Sequence, residues 1–218
     1  MLESIKVSYK HTNSAYKANQ FLQEIKQSNL FAADFEAAIK YTDEELESFK
    51  QELENNPIKR RRIELESTLK ATALDHPSHV DLTHCSIALN DHEAYVFILD
   101  NPKITDLVTN FLVTTKIKQI WHNASYDFKH LLYHTGKMPI DYEDSQILAK
   151  TILNHSETWK ANTSLKELAG KWYGDWAISA DNFNKKQMYE EHVLRYAGTD
   201  ACATFKLWES INNYLKEQ

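Results

Sequence analysis

The spacing of apolar and polar positions changes several times along the chain, and each change marks an element. Between 14 and 27, Ala15, Ala18, Phe21, Leu22 and Ile25 recur at the three-and-four spacing of a helix with one apolar face. The stretch 30-LFAADFEA-37 is then almost continuously apolar, as a buried strand is, apart from Asp34 and Glu36. From Thr42 the apolar signal fades. The stretch 42-TDEELESFKQELENN-56 reads as a charged helix, with Glu45 at capping-box spacing from Thr42. Pro57 interrupts it, and 58-IKRRRIELESTLKATA-73 reads as a second charged helix. Strand character resumes in 84-HCSIALN-90 and 93-EAYVFIL-99, which Asp91 and His92 join as a hairpin.

The second half alternates. A helix is expected over 104-ITDLVTNFLVTT-115, a buried strand over 118-KQIWHN-123, and a helix over 124-ASYDFKHLLYHTG-136, closed by Gly136. A short strand at 138-MPIDYED-144 leads into a helix, 145-SQILAKTIL-153, capped by Asp144 or Ser145. A short helix, 165-LKELAGKWYG-174, precedes a long helical pattern from 184 to 215, expected in two pieces. The class is α/β, a mixed sheet flanked by helices, in one domain over 1–218. The charged stretch of about 38–82 reads as a helical insertion that leaves the sheet and returns.

Composition narrows the classes. The chain is 42% hydrophobic and 26% charged, ordinary for a globular protein, and no run approaches the roughly 20 apolar residues that cross a membrane. The start, MLESIKVSYKHTNS, lacks a signal-peptide core, and two cysteines, Cys85 and Cys202, make no disulfide framework. The expectation is a cytoplasmic protein. A net charge of −6 argues against a generally basic nucleic-acid coat, but not against an enzyme whose metal ions meet phosphates. The four glycines form neither a phosphate loop nor a dinucleotide fingerprint, which takes most of the weight from nucleotide-driven motors and nicotinamide enzymes.

The chemistry gathers in three segments. On a strand, Asp34 and Glu36 point to one face while Phe31, Ala33 and Phe35 point to the other, with Ala32 leaving room beside the acids. In 121-WHNASYDFKHLL-132 a strand ends and Asp127 lies about one turn into the next helix, with Phe128, Leu131 and Leu132 as its core contacts. In 196-YAGTD-200, Tyr196 and Asp200 share a helix face. Each segment alone is equally well read as solvated surface acids. Together, four clustered carboxylates would repel, and they are stable only with raised pKa values or bound cations. Oxygen-only ligands select hard ions such as Mg²⁺ or Mn²⁺, and two such ions serve in-line displacement at phosphorus.

These motifs resemble those of the tyrosine branch of the ribonuclease H-like 3′–5′ exonucleases. The likeness is greatest to the proofreading domain of family A DNA polymerases, phage-type ones above all. D-x-E matches Asp34 and Glu36, N-x-x-x-D matches Asn123 and Asp127, and Y-x-x-x-D matches Tyr196 and Asp200. Arg195 stands where the histidine branch carries its histidine. The resemblance covers about 14–218 without the 38–82 insertion. It implies a ribonuclease H-like fold and release of nucleoside 5′-monophosphates from single-stranded DNA 3′ ends, with RNA a possible substrate and proofreading beside a DNA polymerase or replication complex a possible setting. Asp34 would bridge two metal ions, Glu36 and Asp200 would complete the first site, and Asp127 would hold the second ion through water. Tyr196 would orient the attacking water, and Asn123 and Tyr126 would face the terminal nucleotides. Two other readings are an exoribonuclease of the RNase D type and a silent binding or assembly module of the same fold. The complete set of acids and Tyr196 speaks against the latter.

Four further features carry weaker expectations. The run 59-KRRR-62 reads either as a clamp on nucleic acid or as a solvated helix paired with nearby glutamates. His76, His79, His84 and Cys85 fit no standard zinc spacing. Trp159, Trp172, Tyr173 and Trp176 are a core cluster or a stacking platform for bases. Cys202 is expected in the core.

Overall fold

A computed structural model describes residues 4–73, 76–153, 163–177 and 185–217. Its centre is a mixed sheet in the order β1-β4-β3-β2-β5-β6. The strands are β1 (Ser8–Thr12), β2 (Leu30–Ile39), β3 (Val80–Ala88), β4 (Glu93–Ile98), β5 (Lys118–Trp121) and β6 (Tyr142–Asp144). β3 runs antiparallel to both β2 and β4, whereas β1 joins β4, β5 joins β2, and β6 joins β5 in parallel.

Helices cover both faces. On one, α1 (Ala15–Ile25), α4 (Pro102–Thr114) and α5 (Ala124–Thr135) bury Leu22, Ile25, Ile104, Leu112, Phe128 and Leu131 against Phe31, Phe35 and Phe97 of the sheet. On the other, α6 (Ser145–Leu153), α7 (Leu165–Tyr173) and α8 (Glu191–Lys216) pack Ala149, Leu165, Ala169 and Ala201 against Ala32, Ala88 and Ile120. Strands buried on both faces need apolar residues at nearly every position, which is why β2 and β4 read as continuous runs.

The charged stretch forms a hairpin of α2 (Asp43–Asn55) and α3 (Lys59–Ala73) between β2 and β3. Thr42 and Glu45 close the capping box: Thr42 Oγ1 accepts from the Glu45 amide at 3.2 Å, and a Glu45 oxygen accepts from the Thr42 amide at 2.8 Å. Arg61 reaches across to Glu52 at 2.8 Å and along α3 to Glu64, so the basic run is at least partly held by glutamates.

Several expectations needed correction. β1 was not anticipated, because an edge strand of mostly exposed residues carries no apolar signal. β3 begins at Val80, before the stretch read as strand, and only Tyr142–Asp144 of the 138–144 segment is strand. The final helix is one continuous α8 preceded by a short 3₁₀ turn at Lys185–Gln187. Leu132, taken as a core contact, is 47% exposed, whereas Phe128 and Leu131 are buried.

Candidate active site

The site begins with the alternation of β2. Phe31, Ala33 and Phe35 enter the core under α1, α4 and α5, while Ala32, Asp34 and Glu36 face α8. A bulge follows Glu36: Glu36 pairs with His84 and Ala37 with Leu82, which leaves Thr83 unmatched. The Thr83 hydroxyl donates to the Glu36 carbonyl at 3.1 Å, so the irregular backbone is satisfied where the strand re-aims its second acid.

α8 lies across this face of the sheet on small residues. A side chain at Gly198 would meet the Tyr9 Cβ at 3.3 Å and Val96 Cγ2 at 3.4 Å, so glycine is what lets the helix sit so close to β1 and β4. Tyr196 and Asp200, one turn apart, therefore come down beside β2. Oxygens of Asp34, Glu36 and Asp200 lie within 4.8 Å of one another, which makes them a potential metal-holding group among the described residues. The Trp176 indole N–H donates to Asp200 Oδ1 at 2.6 Å.

Asp127 reaches the site because of a sharp turn. Asn123 adopts φ 61°, a left-handed conformation that asparagine tolerates better than most residues, and turns the chain from β5 into α5. Asp144 fixes that turn. Its carboxylate accepts from the amides of Asn123 at 3.2 Å and Ala124 at 2.9 Å, and also from Gln146 at 2.8 Å, so one side chain caps the starts of α5 and α6. Asp127 is fully buried, and its Oδ1 accepts from the Phe35 amide at 3.0 Å, between the two acids of β2.

Asp34, Glu36, Asp127 and Asp200 line a cleft of about 290 Å³ together with His122, Asn123, Tyr126, Gln146 and Lys166. Burial raises the Asp34, Glu36 and Asp127 carboxyls well above the ordinary range, and their mutual charge raises them further. Asp34 and Glu36 keep part of their surface open to the cleft. Lys166 offsets the repulsion on both. Its ammonium donates to the Tyr196 hydroxyl at 2.6 Å and sits 4.8 Å from the centre of that ring. A set of oxygen donors this close together suits a hard divalent cation, whose charge would offset their mutual repulsion.

Sequence reasoning brought together Asp34, Glu36, Asp127 and Asp200 at the cleft, with Asn123 and Tyr126 on its wall. Tyr196 joins it through Lys166, and Asp127 lies outside the tightest group of three acids. Lys166 and Trp176 were missed as site residues, since only tertiary packing carries them to α8. His122 was missed too. Burial lowers its pKa, so the ring is neutral: Nε2–H donates to the Thr163 carbonyl at 3.0 Å and Nδ1 accepts from the Ser145 hydroxyl at 2.9 Å. The histidine and cysteine cluster is no ligand set here. His79 bonds Tyr41, His76 bonds Ser78, His84 donates to the Met188 carbonyl, and Cys85 is in the core. Cys202 is in the core as expected, Tyr173 is buried, and Trp172 and Trp176 pack against the same cluster, while Trp159 lies outside the described residues.

A family model described as 3′–5′ exonuclease matches residues 37–216, from just after Glu36 to near the end of α8. The chain belongs to this 3′–5′ exonuclease family and is thus a nuclease, on a ribonuclease H-like fold. Among solved structures, the exonuclease domain of Aedes aegypti Nibbler superposes with a TM-score of 0.62 at 12% identity, over 99% of this chain and 93% of that one. Brucella melitensis NrnC with bound Mg²⁺ gives 0.57 at 15% identity, over 98% and 83%. Escherichia coli RNase D, described as an exoribonuclease involved in structured RNA processing, gives 0.59 at 13% identity, over 97% and 46%. At these identities the likeness speaks for the fold. No curated protein matches the chain by sequence. No helix among the described residues is long and apolar enough to cross a membrane.

Proposed function

We propose that this nuclease removes nucleoside 5′-monophosphates one at a time from single-stranded 3′ ends, using two divalent metal ions, Mg²⁺ or Mn²⁺. The observation that carries the reading is the set of three carboxylates within 4.8 Å, from a strand and a crossing helix, with Asp127 beside them in an open cleft. Asp34, Glu36 and Asp200, with Asp127 beside them, would hold the ions. When bound, such ions acidify the attacking water and offset charge on the leaving 3′ oxygen. Tyr196 and Glu36 would orient that water. A phenol of ordinary pKa near 10 is a poor base at neutral pH, so its part is orientation. Asn123 and Tyr126, on the wall beside Asp127, would meet the terminal nucleotides.

DNA is the substrate this reading takes first, from the motif likeness to polymerase exonuclease domains, and proofreading beside a polymerase is its narrowest form. A second reading, an exoribonuclease, is favoured by solved relatives such as Trypanosoma brucei RNase D in complex with RNA. Matched 5′-labelled DNA and RNA oligonucleotides of one sequence, digested in Mn²⁺ and scored for ladder and product, separate the two. Faster shortening of DNA supports the first, faster shortening of RNA the second. Tight binding with no cleavage of either would sink both in favour of a binding module.

A further inference from the structure

The geometry points to Lys166 as a positioning residue that fixes the Tyr196 phenol beside the carboxylate cleft. The inference rests on the exonuclease reading and adds to it a residue that none of the three motifs contains. Four observations place the lysine. Ser164 caps α7, its hydroxyl oxygen accepting from the Glu167 amide, and Leu165 is buried against the sheet. His122, one residue before the N-x-x-x-D motif, donates to the Thr163 carbonyl at 3.0 Å and so ties the start of α7 to the floor of the cleft. Lys166, in the first turn of α7, then leans towards α8. There it meets Tyr196 at two points, the oxygen at 2.6 Å and the ring face at 4.8 Å from its centre.

The chemistry of the pair constrains the phenol. An ammonium has three donors and no acceptor, so the Tyr196 oxygen accepts in this bond and its own proton points elsewhere. A phenol held at both oxygen and ring has lost the freedom to swing about its side-chain torsions, which suits a group whose role is to orient a water. Lys166 faces the acids as well, because it lines the same cleft as Asp34, Glu36 and Asp200. One cation thus anchors the phenol and offsets part of the carboxylate charge.

The test is a double-mutant cycle on the full chain with Lys166→Met, Tyr196→Phe and the double variant, with Lys166→Arg as the conservative control. Single-turnover cleavage of a 5′-labelled oligonucleotide in Mn²⁺ should slow by about 10- to 100-fold in Lys166→Met, with KM little changed. The double variant should be no slower than Tyr196→Phe alone, and Lys166→Arg should recover part of the loss. Multiplying effects, or a raised KM with unchanged rate, would overturn the inference and make Lys166 a direct substrate contact. The same proteins are melted in excess EDTA, where no cleavage is involved. Losses in melting temperature smaller in the double variant than the sum of the singles are expected for a pair in contact. Should the wild-type chain cleave nothing, the exonuclease reading fails while the melting cycle still judges the pair. Additive melting losses would overturn it.

Discussion

Replacing Asp34 with asparagine should make the metal-free protein more stable. With oxygens of Asp34, Glu36 and Asp200 within 4.8 Å of one another, each fully ionised pair repels by about 3.5 kcal/mol at an effective dielectric of about 20. Asparagine at 34 removes two of the three pairs, about 7 kcal/mol if all three acids were fully ionised at 4.8 Å. The real gain is smaller, because the wild-type site sheds repulsion by keeping a proton and by facing Lys166. A net gain of about 1–3 kcal/mol is expected, which for a chain of this size raises the melting temperature by roughly 2–12 °C. The sign with pH follows from burial. In the unfolded chain Asp34 ionises near its ordinary 3.8, whereas in the fold it holds its proton to higher pH. The wild-type fold therefore loses stability as pH rises through that window. The advantage of Asp34→Asn should be smallest near pH 4 and larger at pH 8. The assay is thermal melting in excess EDTA at both values, repeated with Mn²⁺, where the wild type should gain about 2.7 kcal/mol at 100 times its dissociation constant and the variant far less. A variant that melts lower than wild type in EDTA at pH 8 would refute the reasoning and make Asp34 a structural residue.

Three other perturbations reach different parts of the account. Trp176→Phe keeps the ring but removes the N–H on Asp200, and should weaken apparent Mn²⁺ affinity by about 10- to 100-fold, read by calorimetry; unchanged affinity would mean the indole only fills space. Asp144→Ala uncaps α5 and α6 together and should cost about 1–4 kcal/mol in denaturant melts, with a loss under 0.5 kcal/mol counting against the shared cap. His84 is neutral in the fold, its pKa lowered by burial from 6.5 to about 4, and its Nε2–H holds the Met188 carbonyl ahead of α8. The unfolded chain takes up that proton first, so as pH falls from 6.5 towards 4 stability should drop by about 3 kcal/mol from this group. His84→Gln should flatten that limb, and an unchanged acid limb would assign it to other groups.

What the sequence revealed and what it hid divides along local and tertiary lines. The two faces of β2 were readable because strand alternation is fixed by the backbone, so Asp34 and Glu36 had to share a side. The Thr42–Glu45 box and the left-handed Gly136 at the end of α5 were readable because both are contacts within one turn. β1 was hidden because its register depends on β4, more than eighty residues away, and its own residues are mostly exposed. Lys166 was hidden for the same reason. In the sequence it is one cation in a short amphipathic helix, and only the packing of α7 on α8 brings it to Tyr196, thirty residues on. Trp176 gave a signal as part of an aromatic cluster, but its hydrogen-bonding edge could not be aimed without the fold.

The central claim is tested most directly with a 5′-labelled single-stranded DNA oligonucleotide and its RNA counterpart, each incubated in Mg²⁺, in Mn²⁺ and in excess EDTA, beside Asp34→Asn. The account predicts a ladder that shortens from the 3′ end on at least one of the two, absent in EDTA and absent in a variant that melts no lower than wild type. Cleavage that persists in EDTA or in Asp34→Asn, or intact oligonucleotides in every lane with the wild-type protein folded, would contradict it.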